Sequence, residues 1–181
     1  MKEVYIPAFF HEVFGEKQKV IHIVTIFLFG AILSSALFYM YSDWFEALAW
    51  WRLVLVFLLV FDVFSGCIAN FTESTNQFYA NSKIKRIVFI SIHVHLLIIA
   101  ALLQLSLVLV VFVWLYTIVC AFIIQAIQSH QQKFVAGLLL AAGVAWIPML
   151  DMHPFMLIVS LLFMMKVLFS FSVDHYRSRL S

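Results

Sequence analysis

The chain has 181 residues, 65% hydrophobic and 11% charged, with a mean hydropathy of +1.07 and a formal net charge of +2. A soluble domain carries roughly a quarter of its residues as charges, and at less than half of that this chain has the composition of a protein whose solvent is the bilayer. The length leaves no room for a second sizeable domain. The small net charge, with basic residues spread over loop ends and not gathered in a patch, gives no basis for a nucleic-acid partner.

Residues 1–19 mix Ile6, Phe9, Phe10, Val13 and Phe14 with Glu3, His11, Glu12 and Glu16. The helical spacing of the apolar set predicts a short amphipathic helix lying at the membrane interface. Its acidic residues are wrong for the start of a cleaved signal peptide. Six apolar runs follow, at about 20–41, 48–71, 84–103, 105–127, 134–150 and 154–173. Each except the short fifth approaches the roughly 20 residues that a bilayer requires. Residues 87–127 contain neither Gly nor Pro. A single helix of that length would nevertheless reach about 60 Å, twice the hydrocarbon thickness, so a tight turn is expected at Gln104–Ser106. The predicted fold is therefore an all-α integral membrane protein, a bundle of six transmembrane helices forming one domain, preceded by an interfacial N-terminal helix.

With six spans, Lys2, Lys17, Lys19, Lys83, Lys85, Arg86, Lys133, Arg177 and Arg179 fall on one side, nine of the eleven basic residues. The positive-inside rule then puts both termini in the cytoplasm. Tyr39, Tyr41, Trp44, Trp50 and Trp51 gather at the other interface, as an aromatic belt. The small size and bare six-span design suggest a bacterial inner membrane. Gly137, Ala141 and Ala145 recur every fourth residue on span 5, a pattern that favours close helix contact, with packing inside the monomer preferred over an oligomer contact. Cys67 and Cys120 lie in apolar runs and read as buried free thiols.

Most of the interior polarity lies between Asp62 and His95. At about 100° per residue, Asp62, Ser65, Gly66, Ala69, Asn70, Glu73, Asn76 and Gln77 share one small, polar face, opposite Phe64, Ile68, Phe71 and Phe78. Asp62 sits nine residues before the inner end of span 2 and His93 nine residues into span 3, each about 13 Å deep. Lys166 on span 6 lies about 10 Å from the same side. An isolated charge at such depth costs several kcal/mol, so a contact of Asp62 with His93 or Lys166 is expected. Asn70, Glu73 and Asn76 would form the mouth of a cytoplasm-facing pocket.

His93 and His95 point about 160° apart on a regular helix and so make a poor metal pair. No HExxH or carboxylate-ExxH pattern occurs, nor a phosphate loop, a GxSxG or a kinase motif. No metal and no cofactor is expected. Ser65, Ser91 and Ser160 are expected to bond back to helix carbonyls. The loop 71–86, with Lys83, Lys85 and Arg86, suits an anionic head group or an ordinary solvated loop. Three functions fit these features. The first is a binding or transport protein for a small solute or ion, with a site at Asp62, Asn70, Glu73, Asn76, His93 and Lys166. The second is an accessory subunit of a larger membrane complex, and the third a membrane-embedded enzyme on a lipid-like substrate. The expected partners are the lipid bilayer and, beyond it, a second copy of the chain or that larger complex.

Overall fold

The computed structural model describes residues 2–80, 82–127 and 130–176. Arg177 and Arg179, two of the basic residues used for orientation, lie outside them. The described chain is nearly all helical and contains six helical segments long and apolar enough to cross a membrane. In chain order they are α2 (Val20–Met40), α3 (Trp50–Ala69), the pair α5 (Lys83–Ile92) and α6 (His95–Leu102), α7 (Leu107–Ala126), α8 (Gln132–Trp146) with a turn to Met149, and α9 (Pro154–Met164) running into a π-helical turn, Met165–Phe171. Short helices α1 (His11–Phe14) and α4 (Glu73–Ala80) lie outside these spans. The expected break at Gln104–Ser106 is present, with Gln104 at φ +57°.

The last span is the axis of the bundle. Its most apolar stretch is 61% buried, against 22% for α2. Together α9 and the π turn touch α3, α6, α7 and α8, whereas α2 packs chiefly on α3. At one end, Trp44 stacks on His153, with ring centroids 3.8 Å apart, beside Phe38, Phe45 and Phe155. The His153 ring accepts the Phe155 N–H and Pro154 occupies the first turn, which together start α9.

Three expectations change. The N-terminal segment is not one amphipathic helix. Strands β1 (Glu3–Tyr5) and β2 (Lys17–Lys19) pair antiparallel and enclose α1. Glu3 faces Lys19 across the pair, and the Lys17 ammonium lies 4.7 Å above the Tyr5 ring. Gly15 makes the return possible. Its φ is +71°, and a Cβ there would lie 2.1 Å from Ser74 Oγ on α4. Docking on α4 then holds the hairpin, through Thr75 Oγ1 to the Val13 carbonyl and Tyr79 OH to the Glu12 carbonyl, both 3.0 Å.

Span 3 is also not one helix, for it breaks at His93–Val94. The His93 ring takes the Phe89 carbonyl that its own main-chain N–H would use, and that N–H falls back to Ile90 at 3.3 Å. The His93 carbonyl, freed by the break, accepts the Trp114 indole N–H at 2.8 Å. A side chain inserted into the i→i−4 ladder is a sufficient cause for a kink without proline. Third, the stripe on α8 does not pack inside the monomer. Ala141 and Ala145 are exposed, and a Cβ on Gly137 would meet nothing within 4 Å. The buried face of α8 is Gln132, Ala136 and Gly143, continued by Ile147.

Candidate functional site

The site is built where three spans meet. Asp62 lies in the second half of α3, His95 begins α6, and Lys166 lies on the π turn. Lys166 Nζ is 2.7 Å from Asp62 Oδ2 and 3.3 Å from the Asp62 carbonyl. His95 Nε2 lies 3.5 Å from the same carboxylate oxygen. The Lys166 side chain is 4% exposed and that of Asp62 is 48% exposed, so the cation is enclosed while half of its counter-ion remains open.

Gly66, one turn after Asp62, is what lets the lysine in. A Cβ there would lie 2.5 Å from Lys166 Cε and 2.8 Å from Nζ. Lys166 is anchored by its neighbourhood. Ser170 Oγ donates to the Cys67 carbonyl at 2.6 Å, tying the π turn back to α3, and Ser172 Oγ donates to the Val167 carbonyl five residues back. A π turn widens the helix and redirects side chains, and such turns gather at functional sites.

The break in span 3 brings the two histidines to the same place. Their ring centroids are 5.1 Å apart, not on opposite faces as an unbroken helix requires. His93 spends one ring nitrogen on the Phe89 carbonyl and stacks against Phe89. It is His95 that reaches Asp62, and His95 Nδ1 is buried without a partner. Among the described residues no group of three or more His, Cys, Asp or Glu is placed to hold a metal ion.

The other polar residues of the α3 face are placed elsewhere. Asn76 is buried, donating to the Val173 carbonyl at 2.9 Å and accepting the His175 N–H at 3.2 Å. Asn70 is 5% exposed, with a side-chain amide nitrogen that has no partner. Glu73 is exposed, accepts from Gln77, and lines a surface cleft of about 550 Å³ with Lys19 and His22. None of these three is hydrogen-bonded or ion-paired to Asp62, Lys166, His93 or His95. The cleft and two other surface cavities of about 560 Å³ each are lined by none of Asp62, His93 or Lys166, so the expected pocket at Asp62 has no counterpart among them. Ser65 and Ser91 bond back to the Phe61 and Ile87 carbonyls, whereas Ser160 Oγ is buried without a partner. Both cysteines are buried and free.

Sequence reasoning named Asp62, His93 and Lys166 and passed over His95. Only the break at His93–Val94 turns His95 toward Asp62, and no Gly or Pro announces that break. No protein-family model matches the chain, and no curated protein or solved structure matches it either.

Proposed function

We propose that this is a multi-pass membrane protein that binds a proton or small cation at Asp62, in competition with Lys166, and passes it through the bundle. The half-open carboxylate beside an enclosed lysine is the observation that supports this reading. A fully packed structural pair would bury both partners, and an exposed one would not need Gly66 to admit the lysine. A cation that reaches the open side of Asp62 releases Lys166. His95, 3.5 Å away, offers a second acceptor for a proton. Intramembrane ionisable groups that pair and line an accessible position mark ion and proton paths.

The described N-terminal hairpin and the Val173–His175 segment lie at the same end of the bundle, joined through α4, together with Lys17, Lys19 and Lys133. That arrangement favours an orientation with both termini in the cytoplasm, and the small six-span design suits a bacterial inner membrane. Phe9, 86% exposed, and Phe10 then sit at the inner interface as anchors. The second reading, an accessory subunit or oligomer, is favoured by the outward-facing Gly137, Ala141 and Ala145, since small residues let another helix approach closely in lipid.

The test is proton or cation flux into liposomes containing the purified protein, under an imposed membrane potential. Asp62→Asn is expected to abolish flux while circular dichroism and gel filtration stay unchanged. Equal flux from wild type and Asp62→Asn would leave the pair a helix-orienting contact and remove the transport reading.

A further inference from the structure

The open side of Asp62 faces sideways, out of the bundle. On α3, Leu58, Leu55 and Trp51 precede Asp62 by four, seven and eleven residues, and on a helix they lie within about 40° of it. All three are exposed, Leu58 at 55%. The face of α3 that carries the carboxylate is therefore the face the chain leaves bare, and Asp62 lines none of the three surface cavities described above. His95 meets Asp62 from the start of α6, and Ile98, three residues on and so on the same face, is exposed as well. The two helices run in opposite directions. Leu58 and Leu55 precede Asp62 while Ile98 follows His95, so all three lie from the polar groups toward the middle of the spans.

Charge and depth select what fits there. Lys166 and His95 both reach Oδ2 of Asp62, and among the described residues no hydrogen bond or ion pair is made to Oδ1. Oδ1 belongs to a side chain that is 48% exposed, so it is an open acceptor. Within a bilayer no water satisfies it, and a carboxylate favours a charged donor over a neutral one. Asp62 lies seven residues, about 10 Å, inside the end of α3 at Ala69. The bulky headgroup of a phospholipid stays at the interface, outside this level. A slender head on one chain reaches it, with the chain pointing along Leu58 and Leu55 to the middle of the bilayer.

We propose that the cation taken at Asp62 is a single-chain lipophilic primary ammonium, which enters sideways from the leaflet at the hairpin end. Its ammonium donates to Oδ1 and releases Lys166, and its chain lies on Leu58, Leu55 and Ile98. A quaternary ammonium carries the charge without an N–H, and an alcohol carries the donor without the charge, so each meets half of the requirement. The proposal rests on the reading of Asp62 as a cation site, whose substrate class it names, and on the chain being embedded in lipid.

The experiment is equilibrium binding of radiolabelled dodecylamine to the protein in phosphatidylcholine nanodiscs, with empty nanodiscs as background. Saturable binding is expected, weakened about tenfold or more in Asp62→Asn. On the wild-type protein, dodecyltrimethylammonium and dodecanol are each expected to displace the label about tenfold less well than unlabelled dodecylamine. Leu58→Trp leaves the carboxylate and Lys166 in place and is expected to weaken binding by crowding the sideways approach. Equal displacement by dodecanol, or by methylammonium at the same concentration, overturns the proposal, and so does dodecylamine binding that Asp62→Asn leaves unchanged. The liposome flux of the same preparations separates this failure from that of the transport reading. Flux abolished by Asp62→Asn with no dodecylamine binding to wild type removes the lipophilic substrate and keeps the cation path. Dodecylamine binding lost in Asp62→Asn with flux unchanged removes the path and keeps Asp62 as an ammonium-binding site.

Discussion

Asp62 and Asn70 lie on the same helical stretch, eight residues or about 12 Å apart, and the two regions they belong to are built on opposite principles. Around Asn70 and Asn76 the polar groups are neutral, and most of their bonds go to main-chain atoms of distant segments. Gln18 bonds to Thr72 and to the Phe14 carbonyl, Asn76 to Val173 and His175, and Tyr176 OH to the Phe71 carbonyl. Those bonds fasten the hairpin, α4 and the end of the last span to one another. Around Asp62 the groups are charged or chargeable, the closest bond joins two side chains, Lys166 to Asp62, and one of them is half open. Holding chain segments together requires satisfied bonds, whereas exchanging a cation requires a partner that can be replaced.

The largest effect tests the charged region. Asp62→Ala leaves the Lys166 ammonium enclosed without its carboxylate, and is expected to cost about 3 kcal/mol of stability. Lys166→Met alone costs less, because the remaining carboxylate is half open. The double variant Asp62→Ala/Lys166→Met is expected to recover most of the loss, since an apolar pair of suitable volume replaces a buried ion pair with little penalty. A thermodynamic cycle from thermal unfolding in detergent measures this. Additive losses would mean that the two residues do not act as a pair.

A smaller effect tests the fastening region. Asn76→Ala removes the donor to Val173 and the acceptor of His175 in a buried position. The expected cost is about 2 kcal/mol, with flux through liposomes unchanged. Loss of flux at retained stability would move Asn76 into the functional site and erase the contrast between the two regions.

What the sequence made legible divides along a physical line. Hydropathy and length located all six helices long and apolar enough to cross a membrane, because each is set by a local count of apolar residues against the bilayer thickness. Depth counting along spans 2 and 6 brought Asp62 to Lys166, because a helix converts residue number into distance, closely enough here even through the π turn that carries Lys166. The same counting failed on span 3, where the His93 side chain competes with the backbone for a carbonyl and the helix ceases to be regular. It failed again for Asn70, Glu73 and Asn76, which were extrapolated along one helical face although the chain turns between Asn70 and Thr72 before α4 begins. The N-terminal segment was misread for a related reason. Its apolar residues suit a helix, but Gly15 and the docking on α4 set its course, and neither leaves a periodic trace. The small-residue stripe on α8 was assigned to the interior of the monomer and faces outward instead, which periodicity without an outer reference cannot distinguish.

The smallest effect separates the regions by pH. His175 belongs to the fastening region, with its ring against the Phe169 and Ser170 carbonyls. Burial lowers its pKa from the ordinary 6.5, helped by Lys133 and opposed by those two carbonyls and by Asp174. The unfolded chain therefore takes up the proton first as pH falls. The stability that His175 contributes is complete above about 6.5 and declines from there toward the lower folded-state value. His153, at the other end, is lowered in the same direction by burial, so its contribution has the same sign. Melting temperatures between pH 8 and 5 are accordingly expected to fall, and His175→Gln to make that fall shallower without abolishing it. The variant's flux in liposomes should keep the wild-type pH profile, because His175 touches neither Asp62 nor Lys166. If His175→Gln shifts the flux profile instead of the melting profile, the fastening and exchanging regions are one coupled unit, and the contrast between neutral and charged polarity no longer separates structure from function.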